Sequence, residues 1–280
     1  MKLYRDFTTQ EEIDAQYNPT AAVAEAPAII EGWIARSAAA RAAPGCRLGV
    51  KFGPTRDEYL DIFPAGDGAP IHLFIHGGYW RRFSAREHSF LAPALNAAGI
   101  AVVVINYALC PIVTIDEIVR QVRAAIAWTH ANAASFGGDP ARISVSGHSA
   151  GGHLTAMALS TDWPGYYDLP ADLVRGGVAI SGLFDLAPFP FSYLQPALQL
   201  DWAQVHRNSP IRHVPADGRP LVLAVGGDES AEFRRQSQDY AAVRGGSRYL
   251  ELPGQNHFTV LEELERPAST LFRTVLEVAR

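Results

Sequence analysis

Gly147-His148-Ser149-Ala150-Gly151 follows the apolar run at 142–146, RISVS, and leads into a stretch of small residues that opens a helix near Ala150. A G-x-S-x-G pattern between a strand and a helix reads as a nucleophile elbow, a turn tight enough to push the serine hydroxyl out of the sheet. Gly147 and Gly151 flank Ser149 because a side chain at either position would collide with the neighbouring strand or helix. The five letters alone are weak, since ordinary glycine and serine usage places such a pattern in about a tenth of chains of this length. The surrounding sequence decides its meaning.

Short apolar runs alternate with amphipathic stretches along the chain. Strands are predicted at 47–53, 58–63, 71–76, 101–107, 142–146, 176–181, 221–226 and 247–251. Helices are predicted at 22–42, 85–98, 114–134, 150–160, 231–244 and 259–279. The middle strands are continuous apolar runs rather than alternating ones, which marks strands covered by helices on both faces of a parallel sheet. The expected architecture is therefore α/β, a mostly parallel, doubly wound sheet of about eight strands. A single domain over 1–280 is expected. The proline- and aromatic-rich stretch 183–215 forms a cap or pocket wall inserted between two strands.

Composition excludes several classes. At 48% hydrophobic and 19% charged residues, the 280-residue chain has the balance of a globular protein. The net charge of −5 and the lack of a basic block argue against a nucleic-acid partner. Two cysteines, Cys46 and Cys110, supply no disulfide framework and suit a reducing compartment. The first twenty residues carry charges throughout and lack the apolar core of a signal peptide. No run approaches the roughly 18 apolar residues of a membrane span. A cytoplasmic location with no membrane partner is expected, and a homodimer is compatible with the sequence.

A serine hydroxyl is a poor nucleophile at neutral pH and needs a base, the base needs a carboxylate, and the intermediate needs N–H donors. The chain offers each at a strand end, where an open α/β sheet places its site. His76-Gly77-Gly78-Tyr79-Trp80 follows the 71–76 strand, and the N–H groups of Gly77 and Gly78 can approach a bound carbonyl. The N–H of Ala150, at the positive end of a helix, is the third candidate donor of this oxyanion hole. A Gly-Gly pair can also be no more than a turn. Asp228, after the 221–226 strand, is the expected acid, with Glu229 as its rival and Asp185 as a weaker alternative better read as a cap on a helical turn. His257, after the last strand, is the expected base, completing the order Ser149…Asp228…His257. His148 and His153 lie beside the nucleophile, but their offset points them away from its hydroxyl.

Taken together these residues resemble the α/β-hydrolase superfamily, and more closely its arylformamidase (kynurenine formamidase) branch, near the hormone-sensitive-lipase-type esterases. HGGYW at 76–80, GHSAGGHL at 147–154, GGDESAEFRRQS at 226–237, NHFTVLEEL at 256–264 and AQYNPT at 15–20 carry the resemblance, which spans almost the whole chain. It implies a serine hydrolase that cleaves a small aryl amide or formamide through an acyl-enzyme on Ser149 and needs no metal or organic cofactor. A carboxylesterase acting on short-chain esters uses the same triad and is the alternative. A receptor that kept the fold without the chemistry is a third reading, opposed by the intact set of catalytic residue types. Tyr79, Trp80 and the 183–215 segment are expected to hold an aromatic leaving group, and Arg81 can pair with a substrate carboxylate or stand free in solvent.

Overall fold

The apolar runs pair into one eight-stranded sheet in the order β1-β2-β4-β3-β5-β6-β7-β8. A computed structural model describes residues 2–216 and 218–280. The strands are β1 (Arg47–Lys51), β2 (Tyr59–Phe63), β3 (Ala69–Ile75), β4 (Ala101–Ile105), β5 (Gly138–His148), β6 (Gly177–Ile180), β7 (Leu221–Gly226) and β8 (Ser247–Leu252). β1 and β2 run antiparallel to their neighbours, and β3 through β8 are mutually parallel. The principal helices are α1 (Gln10–Tyr17), α2 (Ala26–Arg41), α3 (Ile115–Asn132), α4 (Ala150–Leu159), α5 (Ala231–Val243) and α6 (Thr270–Ala279).

β3, β4, β6 and β7 are buried along their whole length, and β5 from Ile143 onward, because each face has its own helical cover. Leu73 and Ile75 of β3, Val103 of β4 and Val145 of β5 join the core shared with α3, α4 and α5. Phe74, Val102, Val104, Val178 and Val222 point the other way, into a second core with Trp33 of α2 and Phe272 and Val275 of α6. A small polar cluster interrupts this pattern. His72 of β3 lies fully buried between the hydroxyls of Ser144 and Ser146 on β5, at 2.8 and 2.6 Å from its two ring nitrogens. Burial pushes its pKa down to about 3, so the ring is neutral and bonded at both ends.

From β3 the chain passes first to β4 on one side and then to β5 on the other. Strand order reverses between β3 and β5, and a crevice opens at their C-terminal ends. Their register sets Ile75 opposite Gly147, which brings the Gly77 loop beside Ser149.

Two predicted helices prove discontinuous. The 85–98 stretch contains two short 3-10 turns before a helix at Ala92–Ala97. The 259–279 stretch breaks between a turn ending at Glu265 and α6, because Pro267 cannot continue a helix. The 183–215 segment holds short helical turns, including Trp202–Arg207. α1, closed by a capping box between Thr9 and Glu12, lies outside the predicted helices. Among the described residues no helix is long and apolar enough to cross a membrane.

Candidate active site

β5 delivers Ser149 into the elbow, with φ 56° and ψ −116°. That left-handed backbone is uncommon for a residue with a side chain and is held by its neighbours. The Ser149 N–H donates to the carbonyl of Ile180 on β6 at 2.8 Å. No side chain fits around the turn. A Cβ on Gly151 would lie 2.0 Å from the carbonyl oxygen of Ile75, and one on Gly147 would lie 2.2 Å from that of Gly151. Ser149 is 2% exposed and lines a cavity of about 240 Å³ together with His257, Gly77, Gly78, Tyr79 and Arg81.

His257 donates from Nδ1 to Oε2 of Glu229 at 2.6 Å. The expectation of Asp228 as this partner is corrected here. Asp228 is exposed, and its backbone N–H donates to the Gln255 carbonyl at 3.0 Å. The turn closed by the Glu229 N–H on the Gly226 carbonyl sends Asp228 outward and Glu229 inward. The Glu229 carboxylate also accepts the Ser181 hydroxyl at 2.5 Å and the Gly226 N–H at 2.7 Å, so a side chain with no exposed surface has three donors. Asp185 serves its own turn, accepting the Ala187 N–H, and meets the Tyr4 hydroxyl.

His148 donates from Nε2 to the His257 carbonyl at 2.8 Å, pinning the loop that carries His257. Burial, reinforced by the nearby His257, holds its pKa well below the ordinary histidine value, so it is a neutral donor rather than a second base. His153 is equally buried and neutral, its pKa lowered to about 4 by burial.

The loop after β3 carries a run of left-handed residues, Gly78, Tyr79 and Trp80, followed by Phe83. His76 donates from Nδ1 to the Gly77 carbonyl at 2.8 Å. Because the C=O and N–H of a trans peptide point in opposite directions, this turns the Gly78 N–H away from His76. The N–H groups of Gly77, Gly78 and Ala150 have no protein acceptor among the described residues. Tyr79 lines the cavity while its hydroxyl donates to the Tyr17 carbonyl at 2.6 Å. Trp80 was expected against the substrate but is fully buried and does not line the cavity. Its indole N–H donates to Nδ1 of His153 at 3.2 Å, and His153 donates from Nε2 to the Asn208 carbonyl at 2.7 Å. Trp80 therefore fixes the glycine loop from behind.

The BD-FAE family model matches residues 60–163, from β2 to just past α4. The kynurenine formamidase of Salmo salar is 33% identical over 230 residues, covering 78% of this chain and 76% of its own. The esterase LipQ of Mycobacterium tuberculosis is 28% identical over 74% of this chain and 56% of its own. A crystal structure from Silicibacter sp. TM1040, described as that of a thioesterase, superposes with a TM-score of 0.85 at 30% identity, covering 95% of this chain and 99% of its own. The chain belongs to the arylformamidase-like branch of the α/β-hydrolase superfamily. It is a hydrolase.

This arylformamidase-like hydrolase builds part of its cavity wall from residues that sequence reasoning did not single out. Asn18 and Pro19, just after α1, line it, as do Ile30 and Trp33 of α2. Tyr193 is contributed by the 183–215 segment. The AQYNPT stretch, noticed only as a family echo, was the one available signal. Among the described residues no group of three or more His, Cys, Asp and Glu side chains is arranged to hold a metal ion.

The acid position is open to direct test. Glu229→Gln is expected to lower kcat on the order of 10³–10⁴-fold, the scale seen when a triad carboxylate becomes an amide. Asp228→Asn is expected to leave kcat essentially unchanged. Steady-state kinetics of the two variants would reverse the assignment if Asp228→Asn proved the damaging change.

The buried histidines also tie stability to pH. Burial lowers His72 and His76 to about 3, His88 and His153 to about 4, and His148 further below its ordinary value. Unfolded histidine titrates near ~6.5, so from there down to about 4 the unfolded chain binds more protons than the native one. Stability contributed by these groups is present above that window and is lost as pH falls through it. Calorimetry is expected to show Tm dropping between pH 7 and pH 5, with proton uptake on unfolding. A Tm independent of pH over that range would contradict it.

Proposed function

We propose that the chain hydrolyses small aryl formamides through a formyl-enzyme on Ser149, with His257 as general base and Glu229 as the carboxylate that orients it. The Glu229–His257 hydrogen bond carries this reading. With Nδ1–H committed to Glu229, the base has its lone pair on Nε2. In the first half-reaction Ser149 Oγ bonds to the formyl carbon and its proton passes to His257 Nε2. The N–H groups of Gly77, Gly78 and Ala150 stabilise the oxyanion. The intermediate collapses, the C–N bond breaks, and His257 gives the proton to the departing arylamine. Water then attacks the formyl ester with His257 again as base, releasing formate and restoring Ser149.

Cavity size and lining support a small aromatic substrate. A volume of about 240 Å³, with walls from Trp33, Tyr79, Phe83, Tyr193 and Phe258, suits one aryl ring better than a long acyl chain. The identity to the kynurenine formamidase of Salmo salar favours a formamide. The identity to LipQ keeps a short-chain carboxylesterase as the second reading.

The readings part on leaving group and acyl group. Measured kcat/KM for formanilide and N-formylkynurenine is expected to exceed that for p-nitrophenyl butyrate, with Ser149→Ala as the blank. Rapid ester cleavage with negligible formamide turnover would make the chain an esterase, and turnover retained in Ser149→Ala would place the nucleophile elsewhere.

A further inference from the structure

The charges in the cavity wall are all of one sign. Arg81 and Arg82 line it, and no Asp or Glu does so among the described residues. Glu229 lies behind His257, committed to three donors. His88 and His148, also in the wall, are held neutral by burial. Arg81 is half-buried, its guanidinium 5.5 Å from the centre of the Tyr193 ring. No carboxylate pairs with it among the described residues, and its buried Nε–H has no acceptor. Tyr193 is itself placed by its backbone N–H, which donates to Asp14 Oδ1 at 2.8 Å, and by its hydroxyl on the Tyr17 carbonyl at 3.4 Å. The ring and hydroxyl of Tyr193 thus steady the guanidinium, whose buried Nε–H is left without a protein acceptor.

We propose that this site selects a monoanionic substrate, an aryl formamide whose leaving group carries a carboxylate but no ammonium, with Arg81 as the residue that receives the carboxylate. The assignment rests on the formamidase reading, because a formyl group has no room for a charge and leaves only the amine side to bear it. A cleft walled by one sign of charge concentrates counter-ions and repels like charges. A carboxylate gains a paired fork at Arg81. An α-ammonium, as on the amino-acid side chain of kynurenine, would face two guanidiniums with no carboxylate in the wall. This chain is therefore set toward a simple aryl acid rather than a zwitterionic amino acid.

The test compares kcat/KM for meta-formamidobenzoate, its neutral isostere meta-formamidobenzamide, and zwitterionic N-formylkynurenine, in the wild type, Arg81→Gln and Arg81→Lys. The wild type is expected to prefer the anion over both others by about tenfold or more, the scale of one moderately shielded ionic contact. Arg81→Gln should collapse the anion-to-neutral ratio through KM. Arg81→Lys, which keeps the charge without the fork, should fall between. Equal rates on anion and neutral isostere, a faster zwitterion, or a ratio unchanged in Arg81→Gln would each overturn the proposal. The acetate esters of meta-hydroxybenzoate and meta-hydroxybenzamide are run beside the formamides. If only the esters are cleaved, the formamidase reading fails, and the same ratio on the ester pair then decides the role of Arg81.

Discussion

Close backbone contact around Ser149 is the constraint on which the rest of the site depends. Three segments meet there with no side chains between them. The carbonyl of Ile75 lies where a Cβ on Gly151 would be, the carbonyl of Gly151 where one on Gly147 would be, and the carbonyl of His148 lies 2.7 Å from the place of one on Gly77. Only glycine permits this approach, which brings the end of β3, the end of β5 and the start of α4 together beside one cavity. The cost is local strain. Tyr79, Trp80, Phe83, Ser149 and Ser181 all hold positive φ, and all lie at or beside the site. Each such residue costs on the order of 1–3 kcal/mol and persists only where its surroundings over-determine it.

Long-range tethers supply that over-determination. The Tyr79 hydroxyl is held by the Tyr17 carbonyl, Trp80 by His153 and through it by Asn208, and the His257 loop by His148. Phe189 of the 183–215 segment sits edge-on against Tyr17, Tyr79 and Trp80. An N-terminal helix and a segment near residue 200 thereby brace a loop that belongs to the third strand. Buried hydrogen bonds of this kind, added to the packing of these rings, offset part of the strain the loop stores. Under the proposed mechanism, the N–H groups of this braced loop are aimed before the substrate arrives, with little reorganisation left for the reaction itself.

The fold was legible because the middle strands are continuous apolar runs, and continuity means cover on both faces. That Ser149, His257 and the glycine loop would meet at one cavity was legible because each follows a strand at the same end of the sheet. The carboxylate partner of His257 was displaced by one residue. Asp228 and Glu229 share the same loop, and only the hydrogen bonds of the Gly226–Glu229 turn decide which one faces inward. Trp80 was misplaced because nothing in the local sequence shows that its indole turns back onto His153 rather than into the cavity. The contributions of Asn18 and Tyr193 are contacts between segments far apart in sequence, on which local pattern is silent.

The account turns on Ser149 being activated through Glu229 and His257. Its most direct test is phosphorylation by the organophosphate diethyl p-nitrophenyl phosphate, following nitrophenol release and mapping the adduct by peptide mass spectrometry. One stoichiometric adduct on Ser149, forming far more slowly in Glu229→Gln than in the native chain, is the predicted result. An adduct on another residue, or a labelling rate indifferent to Glu229, would contradict the account at its root.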